Sequence, residues 1–136
     1  MSLIFEKVLI LKNVPLFADV PEGVLSDIII GGQEISAVEG TDIVKEGNKW
    51  NDLYILLQGQ VKEHKNGQDI REFNAPASFG ELAALDAETA PAAFTAQEDS
   101  VLLKLSGEAF YRLINEHKSL EKSLFKTLCR RLRQQN

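Results

Sequence analysis

The chain is poor in the residues that build covalent and metal-based chemistry. Among its 136 residues there is one cysteine, Cys129, and there are two histidines, His64 and His117. A single cysteine forms no intrachain disulfide and rules out a zinc site made of several cysteines; it fits a cytoplasmic setting. Cys129 itself reads as an ordinary apolar helix residue. Two histidines with no His-x-His pair fall short of the two or three imidazoles and a carboxylate that a β-barrel metal enzyme gathers on one ion. Both read as solvated, His64 at a polar strand edge and His117 at a helix end. Ser78 and Ser106 have no histidine near them in sequence, and neither a G-x-S-x-G elbow nor a G-x-x-x-x-G-K-[ST] loop occurs. No catalytic residue, metal or cofactor is therefore expected, and the chain reads as non-enzymatic. Glu6 and Lys7 interrupt the opening MSLIFEKVLILK, and no apolar run approaches the roughly 20 residues that cross a bilayer, so no membrane insertion is expected. A net charge of −5 argues against non-specific binding to nucleic acid, which rests on many Lys and Arg contacts to phosphates.

One local absence is more telling. FGELAALDAETAPAAFTA, residues 79–96, begins as an anion-binding turn does, with an aromatic residue, a glycine, an acid and then residues suited to a short helix. Yet no Arg, Lys or His stands between Glu81 and Gln97.

What is present is enough apolar material for one domain, with 44% hydrophobic residues over residues 1–136. Leu3, Ile4, Val8 and Leu11 recur at helical spacing until Asn13-Val14-Pro15 ends the pattern. A second helix is expected from about Asp19, with Pro21 in its first turn, Val24, Leu25, Ile28 and Ile29 as its buried stripe and Gly31-Gly32 as its stop. From Gln33 onward, short runs alternate with Gly, Asn and Asp, the grammar of a β-sandwich or barrel. Strands are expected near 34–38, 42–45, 52–58, 60–65, 69–73, 92–96 and 100–105. Asn66-Gly67, between two alternating runs, predicts a type I′ hairpin turn. The continuous apolar run of LYILLQ predicts a strand covered on both faces. Ser106 is a candidate N-cap for a helix that buries Phe110, Leu113 and Ile114. In the last helix Leu120, Leu124, Phe125, Leu128 and Leu132 form a ridge, while Lys126, Arg130, Arg131 and Arg133 complement the C-terminal end of the helix dipole. The ridge either packs on the barrel or leaves part of itself as a seam for a dimer or for another domain. Trp50, flanked by polar residues, is expected at a loop edge.

Taken together, VPLFADVPEGVLSDI, EGTDIVKEGNKWNDLYILLQGQVKEH, SFGELAALD, AQEDSVLLKL, AFYRLI and LCRRLRQQN resemble, in order and spacing, the cyclic-nucleotide-binding domain family of catabolite activators, protein kinase A regulatory subunits and nucleotide-gated channels. The resemblance implies a mainly β fold over 1–136: a jelly roll (double-stranded β-helix) at 33–105, N-terminal helices at 1–32, a short helix at 80–85, and two C-terminal helices at 106–136. It also implies a ribose- and phosphate-binding cassette at Phe79, Gly80, Glu81, Leu82 and Ala83, continuing through Ala90, Pro91 and Ala92. Glu81 would accept a hydrogen bond from a ribose hydroxyl, and N–H groups opening the short helix would face the phosphate.

The chain departs from the family nine residues beyond Glu81, where Ala90 stands in place of the phosphate-binding arginine. Losing one partner of a buried guanidinium–phosphate pair costs about 3–5 kcal/mol, or about 100- to 1000-fold or more in affinity. The expected function is thus a regulatory or sensor module, part of a larger protein, with weak or no cyclic nucleotide binding. The alternatives are a barrel that serves another small ligand, or a ligand-free scaffold for protein contacts in which Phe79, Leu82 and Leu85 plug the barrel. Arg71 and Lys104 are the strand cations that could stand in for the arginine. The sequence reaches LCRRLRQQN without a recognition helix, so no direct DNA binding by these residues is expected.

Overall fold

The computed structural model describes residues 3–135. Helix α1 (Ile4–Leu11) turns its Val8 and Leu11 inward, and the chain then tightens into a 3₁₀ turn at Pro15–Phe17 that buries Leu16 and Phe17. Helix α2 (Glu22–Gly31) starts later than the sequence suggests. Pro21, which has no N–H to lose, sits at the N-cap position, and Gly32 follows the last turn.

The β region holds ten strands: β1 (Gln33–Ala37), β2 (Asp42–Val44), β3 (Lys49–Trp50), β4 (Asp52–Gln58), β5 (Gln60–Lys65), β6 (Gln68–Asn74), β7 (Ala77–Phe79), β8 (Glu88–Thr89), β9 (Ala93–Ala96) and β10 (Ser100–Ser106). Two antiparallel four-stranded sheets, ordered β1-β10-β4-β7 and β2-β9-β5-β6, face each other as a jelly roll, and β3 pairs with β8 as a small flap. The sequence pattern does not mark β3, β7 or β8, because two or three residues are too few to show an alternation. The hairpin between β5 and β6 forms as expected: Asn66 and Gly67 have φ of 53° and 77°, the two positive values that a type I′ turn requires.

Strand β4 explains the architecture. Its residues Leu53 through Leu57 are all buried, in two directions. Leu53, Ile55 and Leu57 join the core between sheet and helices, whereas Tyr54 and Leu56 join the core inside the barrel. A strand covered on both faces needs no polar side, which is why the run is continuous rather than alternating.

After β10, Ser106 Oγ accepts from Ala109 N at 3.1 Å and opens α4 (Gly107–Glu116). Helix α5 (Lys118–Gln135) then crosses back over the molecule. Its ridge is split. Leu120 and Leu124 are buried, Leu128 is partly buried against the helix-side core, and Phe125 and Leu132 are 59% and 62% exposed. Cys129, expected as an apolar helix residue, also faces outward. The positions that share the buried face with the leucines are polar: Ser123, whose hydroxyl donates to the Leu16 carbonyl, and Thr127, whose hydroxyl donates to Ser123 O. Among the described residues no helix is long and apolar enough to cross a membrane.

Three sequence expectations are corrected. Trp50 does not edge a loop; it is 6% exposed, inside the barrel core, because β3 lays it under the turn at Gly80. His64 is half-buried, its Nε2 2.7 Å from Thr95 Oγ1, and the Thr95 hydroxyl in turn donates to Asp42. His117 is half-buried at the junction of α4 and α5, with Nε2 3.2 Å from Asp27 Oδ2.

Candidate functional site

A cavity of about 170 Å³ opens where β7 hands over to the short helix α3 (Glu81–Leu85). Gly80 makes the handover possible. It adopts φ 94°, and a Cβ there would stand 2.6 Å from Asp52 O and 2.7 Å from Trp50 Cζ2. The floor is aromatic: Phe79 stacks on Phe94 with centroids 4.7 Å apart and planes 4° apart, and Tyr54, Phe73 and Trp50 pack around the pair.

Of the eight residues expected at the site, Phe79, Gly80, Glu81, Leu82, Ala83 and Pro91 line the cavity. Ala90 and Ala92 do not. Both are buried, and Ala90 belongs to the barrel core, with its backbone tied to Asn48 O and Gly47 N. Leu82 is 56% exposed and so is no plug; it sits at the cavity mouth, while Leu85 packs toward the helices and Phe79 alone of the three fills the barrel.

Glu81 is the most unusual group in the site. Its side chain is 1% exposed, one carboxylate oxygen accepting from Ser78 Oγ at 2.7 Å. The other oxygen lies 3.0 Å from Nη2 of Arg131, on α5. That contact is an ion pair whose N–H direction falls outside hydrogen-bond geometry, so among the described residues no group donates a hydrogen bond to this oxygen. The Trp50 indole N–H is likewise buried without an acceptor.

The cations that the cassette lacks therefore arrive from elsewhere. Arg131 and Arg71 both line the cavity, together with three acids, Glu63, Glu81 and Glu88. Arg71 stays at the rim, with its side chain 59% exposed, Nε 4.0 Å from Glu63 Oε1 and its guanidinium 5.7 Å from the Phe73 ring centroid. Lys104 is excluded as a stand-in, since it lines other clefts and its Nζ lies 3.9 Å from Asp52. Sequence reasoning took Arg131 for a dipole-complementing surface cation. A signal was available: Ser123, Thr127 and Arg131 recur every four residues, which puts all three on one face of the helix.

Residues 34–117, more than half the chain, match the cyclic nucleotide-binding domain family. The chain is a member of that family. Among curated relatives of the domain, the Pycsar effector protein XpPycTIR of Xanthomonas perforans is 26% identical over 110 residues, which are 80% of this chain and 36% of the relative. The cAMP-dependent protein kinase regulatory subunit of Aspergillus niger is 29% identical over 106 residues, 76% of this chain and 26% of the relative. The chain thus spans about a third of the length of these relatives or less. Among solved structures, the catabolite activator protein of Thermus thermophilus superposes with a TM-score of 0.80 at 28% identity, covering 88% of this chain and 59% of that one. These likenesses bear out the jelly roll with flanking helices. Among the described residues no group of His, Cys, Asp and Glu is placed to hold a metal ion.

Proposed function

We propose that this domain is a regulatory module that binds a cyclic nucleotide weakly in the cavity beside Glu81 and passes occupancy to α5. The observation that carries the reading is the buried Glu81 carboxylate, one oxygen of which has no hydrogen-bond donor. The Arg131 ion pair offsets the buried charge without supplying a directed hydrogen bond, and a sugar hydroxyl is a donor that would supply one. Family membership and the similarity to a cAMP-dependent kinase regulatory subunit supply the ligand class. The weakness follows from Ala90, since no cassette arginine reaches the cavity. Signalling follows from Arg131: a ligand that changes what Glu81 pairs with changes what holds α5, and a ligand shifts such an equilibrium by as much as it prefers one arrangement. The domain performs no chemistry of its own in this reading.

A second reading, a scaffold that binds no ligand and serves protein contacts, is favoured by the size of the cavity. About 170 Å³ is less than the roughly 300–1,000 Å³ of typical small-molecule sites, and the aromatic stack already fills the barrel beneath it. Titration with cyclic AMP and cyclic GMP, by calorimetry and by the fluorescence of Trp50, separates the two. Submillimolar binding by the unmodified chain overturns the scaffold. Ala90→Arg, with Pro91→Arg as a second variant because Pro91 lines the cavity, is expected to tighten binding; silence in the unmodified chain and in both folded variants overturns the nucleotide reading.

A further inference from the structure

Anion recognition in this cavity has to come from a cation that the cassette does not contain. Two guanidiniums border the cavity, and they differ in kind. Arg71 is mostly exposed, stands over Phe73 and leans toward Glu63 at the rim. Arg131 is only 34% exposed and reaches the one buried carboxylate of the site. The helix that carries it is tied down two face-repeats earlier, where the Ser123 hydroxyl donates to the Leu16 carbonyl, and Thr127, one repeat earlier, donates back to Ser123 O.

The contact between Arg131 and Glu81 is also an ion pair without a directed hydrogen bond. A guanidinium carries five N–H donors in a planar fork suited to two parallel bonds with one anion, and here Nη2 approaches Glu81 Oε1 without directing an N–H at it. Charge is balanced, but directional bonding is not. A ligand bearing both a hydroxyl and a phosphate resolves the mismatch by exchange, its hydroxyl donating to Glu81 and its phosphate taking the fork.

We propose that Arg131, carried by α5 and not by the cassette, is the phosphate-binding residue of this site, and that a ligand seats by trading partners with the Arg131–Glu81 pair. The proposal rests on the reading of the cavity as a ligand site. Phosphate recognition and the position of α5 then become one event, since the group that grips the ligand is part of the element that moves. A nucleoside without phosphate offers Glu81 a hydroxyl but gives Arg131 nothing in exchange, so it does not turn the fork.

The test compares the unmodified chain with Arg131→Gln and Arg131→Lys, each first shown to melt cooperatively. The probes are cyclic AMP, adenosine and inorganic phosphate, the last against chloride at equal ionic strength, read by Trp50 fluorescence and calorimetry. Arg131→Gln is expected to weaken cyclic AMP by on the order of 10- to 100-fold while leaving adenosine within about threefold, with Arg131→Lys in between because it keeps charge but not the fork. Cyclic AMP binding that is unchanged or tighter in Arg131→Gln overturns the proposal and leaves the nucleotide reading standing. If cyclic AMP is silent but phosphate gives a saturable response that Arg131→Gln abolishes, the nucleotide reading falls and the role of Arg131 stands. Silence with both probes overturns both.

Discussion

Gly80 lies directly against Trp50, so close that a Cβ on the glycine would come within 2.7 Å of the indole Cζ2. The same atom would meet the carbonyl of Asp52 at 2.6 Å, and the backbone there has φ 94°. Contact and conformation both demand glycine, so Gly80→Ala is expected to cost about 2 kcal/mol or more. Urea denaturation measures the loss. Because Trp50 is the only tryptophan, a shift in its emission reports whether the cassette has lifted off the ring.

The two faces of α5 make opposite predictions. Leu124 is 3% exposed in the helix-side core, and Leu124→Ala is expected to destabilise the chain by about 2–5 kcal/mol. Phe125, next in sequence but 59% exposed, is expected to change stability by no more than about 0.5 kcal/mol on replacement by Ala. Thermal or urea melts at low micromolar concentration check both. A concentration-dependent melt that Phe125→Ala removes identifies the outer face as a dimer seam instead.

Ser123 pins α5 to the 3₁₀ turn near the start of the chain, through its hydroxyl and the buried Leu16 carbonyl. Ser123→Ala leaves that carbonyl without its donor and is expected to cost about 1–3 kcal/mol. If α5 is the element that carries Arg131 to the cavity, hydrogen exchange across residues 118–135 rises more than exchange in β4. Equal protection loss in both elements would mean that the serine supports the whole fold and not the helix in particular.

What could be read from the sequence follows from which signals are local. The Asn66-Gly67 turn, the Ser106 cap and the continuous run of β4 each depend on a few neighbouring residues, and each appears as expected. The turn at Gly80 and the short helix after it were legible for the same reason: one glycine permits the turn and helix-forming residues follow it. The flap of β3 and β8, and with it the burial of Trp50, was not legible, because a two-residue ladder exists only through pairing partners far apart in sequence. Arg131 was hidden differently. A cation near a helix C-terminus is satisfied by the dipole alone, so nothing in its immediate neighbourhood asks for a buried acid. Only the tertiary crossing of α5 over the cavity brings it to Glu81.

Tyr54 links the barrel core to pH. Burial, with a smaller contribution from the nearby Asp52 carboxylate, pushes its phenol up from 10.0 to about 12. Between those values the unfolded chain has released a proton that the folded chain still holds, so the unfolded state binds fewer protons and stability falls as pH rises through that window. Below pH 10 the phenol is protonated in both states, and its contribution is constant. Tyr54→Phe removes this term while keeping the ring that stacks on Phe79. Urea midpoints of the two chains from pH 8 to 12 are expected to run parallel up to about pH 10 and then converge or cross, the unmodified chain falling faster. Parallel curves throughout would mean that the Tyr54 hydroxyl ionises as freely in the fold as in the open chain.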